Sequence, residues 1–201
     1  MFALVESGSI TKHLNGNKGI QIGDLKYPRA IYTLWTEAER NAIGIYSIVY
    51  DNTNKKDERW YINTNQSYAF GSGKVTATYG TATAKAHADR NFTAQDETDG
   101  LGTEGELDYR GLKYYLIRDV KSEAANELAK TDWYITRKAE KSTAIPSAIT
   151  THRNLVRSRQ AAMETSITNA SDTPALETLY TYTKDSDGVA SRPLAEIPTL
   201  D

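Results

Sequence analysis

The hydrophobic pattern changes period near the middle of the chain, and this limits the possible folds more than any other feature. Up to Tyr79, short β-branched and aromatic runs are separated by turns containing Gly or Asn. From Leu107 onward, apolar residues recur at the spacing of a helix face. Period two followed by period 3.6 in separate halves of a chain predicts an α+β architecture rather than an alternating α/β one. With 201 residues the chain can form one large domain or two small ones.

In the first half, Phe2-Ala3-Leu4-Val5 and Ser9-Ile10-Thr11-Lys12 flank Ser7-Gly8, a two-residue hairpin signal. Asn15 to Gly23 is rich in Gly and Asn and reads as loop. Thr36 and Glu39 stand at capping-box spacing and Gly44 at a left-handed C-cap, so a short helix is expected between them. Ile45–Tyr50 and Trp60–Ile62 read as strands, and Tyr68–Phe70 with Val75–Tyr79 as a second hairpin.

In the second half, Tyr109, Leu112, Leu116, Val120, Ala124 and Leu128 fall on one face, so a helix is expected over 107–130. After Pro146, Ile149, Val156, Met163 and Ala170 recur every seven residues, with Leu155 and Ile167 widening the stripe to about Ala170. Arg159 and Ser166 interrupt a coiled-coil seam. Thr173-Pro174 reads as an N-cap followed by Pro at the first helical position. The expected organisation is a β-rich N-terminal domain with a short helix over 1–85 and a polar linker or excursion over 86–103. A helical domain with two long amphipathic helices follows over 104–183, then an extended tail over 184–201.

Composition removes several kinds of chemistry from expectation. There is no cysteine, hence no disulfide framework, thiolate zinc site or thiol nucleophile. The histidines, His13, His87 and His152, are scattered, so no metal is expected. Gly71-Ser72-Gly73-Lys74 lacks the earlier Gly and the following Ser or Thr of a phosphate loop; Tyr68 and Val75 stand there, and the hairpin accounts for the glycines. The acidic stretches 51–58 and 96–106 lack calcium-loop spacing. A formal net charge of −2, with the signs mixed, gives no footprint for nucleic acid or an anionic membrane. No apolar stretch is long enough to span a bilayer, and the first residues lack the basic and apolar regions of a signal peptide. No enzymatic activity, catalytic residue or cofactor is expected.

Two segments are more particular. Met1-Phe2-Ala3-Leu4-Val5 with Gly8, followed by Thr36-Glu37-Ala38-Glu39-Arg40-Asn41-Ala42-Ile43-Gly44-Ile45-Tyr46, resembles the opening module of small tail proteins of tailed bacteriophages. Thr131 to Glu140, Ile145-Pro146, Arg153 and Arg157 resemble the C-terminal motif of tail-fibre assembly chaperone-like proteins: Asp-Trp, a polar helix turn, a Pro, then a helix with spaced arginines. His152 stands where that motif commonly has Tyr, and Val156 where it has Leu.

The resemblance implies a tail-associated structural protein, a fibre, baseplate or connector component, made in the host cytoplasm and located in the virion tail. Its partners would be other phage tail proteins, and it would be a homo-oligomer or present in several copies. The alternatives are a tail-fibre assembly chaperone absent from the mature virion, and a glycan-binding tail domain. Partner contacts are expected at Trp133, Arg137, Arg153, Arg157, Leu194, Ile197 and Leu200. Trp133 is also expected as the enclosed anchor between the two long helices, at a cost of ~3–5 kcal/mol on truncation. Arg153 and Arg157 are expected to form one basic ridge, pairing with Asp132 or Glu140 or with an acidic partner. In the tail, Pro193 and Pro198 forbid helix, while Leu194, Ile197 and Leu200 recur every three residues, the polyproline II period. The tail is therefore expected to dock in a groove of a neighbouring chain or, failing that, of its own domain.

Overall fold

A computed structural model describes residues 1–64 and 66–200. The fold is α+β, with a curled β-sheet in the N-terminal part and long helices in the C-terminal part. The chain divides into two compact units, Met1–Thr83 and Ala84–Asp201.

The N-terminal unit opens with β1 (Phe2–Glu6) and β2 (Ser9–Leu14), the expected hairpin, with a register shift between Leu4 and Val5. Next come β3 (Ile20–Ile22) and β4 (Leu25–Tyr27), a small antiparallel pair within and beyond the stretch expected to be loop. The cause is Ile20, which is buried against Leu4, Leu14 and Ile31 and draws the Gly- and Asn-rich segment into the core. After α1 (Ile31–Leu34), α2 (Glu37–Ala42) starts at Thr36 with both halves of the capping box formed. Gly44 has φ +81°, and a Cβ there would lie 2.6 Å from the Val5 carbonyl oxygen, so the turn into β5 (Ile45–Asp51) requires glycine. Then follow β6 (Tyr61–Ile62), β7 (Ser67–Gly71) and β8 (Lys74–Thr78), with β9 (Thr83–Ala84) at the boundary in the chain.

The five-stranded sheet has the order β2-β1-β5-β8-β7. Its pairs are antiparallel except β5 with β8, which run parallel from Ile48↔Val75 to Asp51↔Thr78. Alternation along β1 sends Leu4 to one face and Ala3 and Val5 to the other. The first face, which includes Ile45 of β5, packs on Ile31 and Tyr32 of α1. The second gathers Ile48, Val75 and Ala77 with Ile10 of β2 and Tyr68 and Phe70 of β7, both edge strands, so it is the inside of the curl. The edges meet where the rings of His13 and Tyr68 lie 4.2 Å apart.

The C-terminal unit contains β10 (Arg90–Asn91), α3 (Ala94–Thr98), β11 (Leu107–Tyr109), α4 (Leu112–Ala129), α5 (Asp132–Lys141), α6 (Ser147–Asn169), α7 (Thr173–Tyr180), β12 (Thr183–Lys184) and β13 (Ala190–Ser191). Residues 86–103, expected as a linker or excursion, thus hold β10 and α3. The first long helix begins five residues later than expected, because Leu107–Tyr109 pairs with β10. Gly111 marks that start: a Cβ there would collide with the backbone of Ala88.

The two long helices, α4 and α6, run antiparallel, since Lys113 reaches Thr168 at one end and Arg153 reaches Leu128 at the other. Between them lie Leu116, Val120 and Ala124 of α4 and Ile149, Val156, Met163 and Ile167 of α6. Leu155 is exposed and does not widen the stripe. The N-cap of α7 is Asp172, one residue earlier than expected; its carboxylate accepts from the Ala175 N–H at 2.8 Å. Thr173 is buried instead and donates to the Lys85 carbonyl at 2.5 Å. Among the described residues, no helix is long and apolar enough to cross a membrane.

Candidate functional site

The expected partner residues separate into inward-facing and outward-facing groups. Trp133 is not enclosed: it is 51% exposed, and α5 has no buried residue. Its ring lies against Tyr134 with centroids 3.8 Å apart, and the Arg137 guanidinium sits 4.6 Å from the indole and 5.2 Å from the phenol centroid. The three side chains form a platform on the outer surface of α5, held by stacking and cation–π attraction. The expected cost of truncating a buried anchor therefore does not apply.

The anchoring role assigned to Trp133 belongs to Arg153. That side chain is buried, and its Nη1 donates to the Leu128 carbonyl at 2.7 Å and to Thr131 Oγ1 at 2.6 Å, with Asp132 at 2.8 Å. The guanidinium thereby ties the corner between α4 and α5 to α6. The pairing with Asp132 is as expected, but the basic ridge is not formed. Arg153 faces inward, whereas Arg157 is exposed and approaches the Arg153 carbonyl at 3.5 Å.

The tail docks on its own helical unit. Leu194 is 1% and Ile197 7% exposed, and the Leu194 N–H donates to the Leu179 carbonyl at 2.9 Å. Those two side chains are thus buried within the chain itself, while Leu200 remains 39% exposed. The Leu200 N–H donates to Glu127 Oε1 at 2.8 Å, the same oxygen that His152 Nε2 meets at 3.0 Å. Asp201, the last residue of that tail, lies outside the described residues.

Glu127 is the residue that sequence reasoning missed. It lies three residues beyond Ala124 and seven beyond Val120, on the apolar face of α4, so a carboxylate at a stripe position was the available signal. Lys130, donating at 2.5 Å, holds the Glu127 carboxyl below its ordinary range, with help from the Leu200 N–H and His152 against the cost of burial.

A second polar centre lies at the base of the α3–β11 loop. The Thr93 N–H, the Arg90 guanidinium and the Thr93 hydroxyl bring the Asp96 carboxyl down to about 2. Arg90 also pairs with Asp108. Beside α4 an open cleft of about 530 Å³ is lined by Ala88, Asp89, Tyr114 and Ile117 and edged by Lys113, Arg118 and Lys121. Among the described residues, no group of three or more metal-ligating side chains converges. No family model, no curated protein and no solved structure matches this chain.

Proposed function

We propose that this chain is a non-catalytic, tail-associated structural protein of a tailed bacteriophage, acting through protein–protein contacts as a fibre, baseplate or connector component. The observation that carries the reading is the Trp133 platform. An indole and a phenol stacked on each other, with a guanidinium fixed across both, form a surface of low side-chain entropy whose residue types dominate binding energy at interfaces. The platform lies within the segment whose residues resemble the tail-fibre assembly chaperone-like motif, and this supports a tail partner for it.

The test is mass spectrometry of purified particles beside infected-cell lysate. The structural reading expects the chain in washed particles at a fixed ratio to other tail proteins, with Trp133→Ala lowering its incorporation at unchanged expression. A chain abundant in cells but absent from particles would instead be an assembly chaperone. The exposed indole of Trp133, tilted 33° to the Tyr134 ring, also offers an aromatic face for a sugar ring, the glycan-binding alternative. Trp133-dependent retention on a host glycan surface would establish that alternative.

A further inference from the structure

Two other features of the helical unit complement each other in shape and charge. The first is the cleft beside α4, whose volume of about 530 Å³ is in the range of sites that enclose a ligand or an inserted side chain. Tyr114 and Ile117 supply an apolar floor. The cations at the rim are held in place: Lys113 Nζ by the Thr168 carbonyl at 2.8 Å, Lys121 by Glu164 at 3.3 Å, and Arg118 by its neighbour Asp119 at 3.2 Å. Each keeps further N–H donors, and Arg118 and Lys121 are more than half exposed.

The second feature is the loop from α3 to β11. Between residues 97 and 106 it carries Glu97, Asp99, Glu104 and Glu106 and no basic residue, and Leu101 stands 64% exposed among them. The loop is well braced. Its base is clamped by Arg90 between Asp96 and Asp108. Phe92 exchanges backbone hydrogen bonds with Gly105 and Glu106, at 2.9 Å each, and the Leu101 N–H donates to the Asp96 carbonyl at 2.9 Å. A leucine framed by carboxylates is therefore presented in a fixed geometry, and the ordering cost of binding is already met in the free protein.

We propose that the α3–β11 loop of one copy docks into the α4 cleft of a second copy. Leu101 enters over Tyr114 and Ile117, and the loop carboxylates meet Lys113, Arg118 and Lys121. The two surfaces are different patches of the same unit, and with one loop seated between each pair of copies the contact is heterologous and repeats from copy to copy, building a ring or an open chain. The rim charges are exposed, so the association is weak and sensitive to salt.

Sedimentation velocity of the full chain tests this without any phage component, so its outcome is separate from that of the particle analysis. The wild type should form species larger than a dimer as concentration rises, and these should dissociate as salt is raised to about 0.5 M. A loop variant, Leu101→Ser with Glu104→Gln, and a cleft variant, Tyr114→Ala with Arg118→Glu, change exposed positions and should melt with the wild type. Each should be monomeric alone. Mixed in equal amounts, they should form a 1:1 heterodimer that grows no further, because one keeps the cleft and the other the loop. A wild type that stays monomeric at its highest soluble concentration overturns the proposal. So do variants that associate like the wild type, and a mixture that stays monomeric.

Discussion

The two units solve the same packing problem with different materials. The N-terminal unit packs a curled sheet against two clusters of aliphatic and aromatic side chains, one on each face. The C-terminal unit packs a comparable apolar seam between α4 and α6, but every buried polar or charged residue among those described belongs to it: Asp96, Glu127, Thr131, Arg153 and Thr173. A curled sheet satisfies its backbone groups within the ladder, so its core can be wholly apolar. Helices joined by tight corners leave end carbonyls and N–H groups unpaired, and these need side-chain partners. Arg153 on the Leu128 carbonyl and Asp96 on the Thr93 N–H are such partners, and Glu127 does the same for the Leu200 N–H of the extended tail. The helical unit therefore depends on specific hydrogen bonds where the sheet unit depends on volume.

The largest effect should come from removing volume in the sheet unit. Ile45 is fully buried, and Ile45→Ala should cost about 3–4 kcal/mol. Denaturant unfolding followed by the buried Trp60 reads it; a loss below ~1 kcal/mol would mean that the cluster relaxes to fill the hole.

Next is Arg153→Met, which keeps bulk but strips the donors from the Leu128 carbonyl and Thr131, at about 2–3 kcal/mol. If Arg153→Met matches the wild type in thermal unfolding, hydrogen bonding does not distinguish the two units.

Acid should separate the units more gently. The Asp96 carboxyl lies at about 2 in the folded protein against 3.8 ordinarily, so the stabilisation it contributes is complete above about pH 4. It is lost as pH falls from about 4 toward 2. Glu127, also lowered, loses its share as pH falls below the ordinary carboxylate range. In the sheet unit, Glu39 and Asp51 are lowered by exposed local bonds to Thr36 and Thr53, away from the clusters. Amide protection, corrected for the intrinsic pH dependence of exchange, should fall first across α3 and α4.

The smallest effect on stability belongs to Trp133→Ala, expected to stay within ~0.5 kcal/mol of the wild type. A loss of several kcal/mol would place the indole back in the helical core.

Much of this architecture was legible in residue spacing. The capping box at Thr36 and Glu39, the turn at Gly44, the two hairpins and the buried repeat of α6 all rest on local patterns, and local patterns survive in a bare sequence. What was hidden depended on partners far along the chain. Leu107 and Tyr109 suit a helix face or a strand equally, and pairing with Arg90 and Asn91 decides between them. Trp133 has the size of an anchor, but Arg153, 20 positions later, fills that place. Ile20 lay unnoticed in a run of Gly and Asn because its core contacts are with Leu4 and Ile31. The docking of Leu194 and Ile197 was legible from their period; that their groove lies on the same chain was not.

The parallel pairing of β5 with β8 also sets a timetable. The hairpins β1–β2 and β7–β8 join neighbours in sequence and can form within microseconds. The seam between β5 and β8 must wait until the β7–β8 hairpin is brought round to β5 across the chain that separates them, a loop closure that gains little until the seam itself forms. The sheet should thus assemble as two halves that meet late, with a rate set by that meeting. Until then the inner residues Ile48 and Val75 face water, and this interval is when the chain is most exposed to association with other unfinished copies.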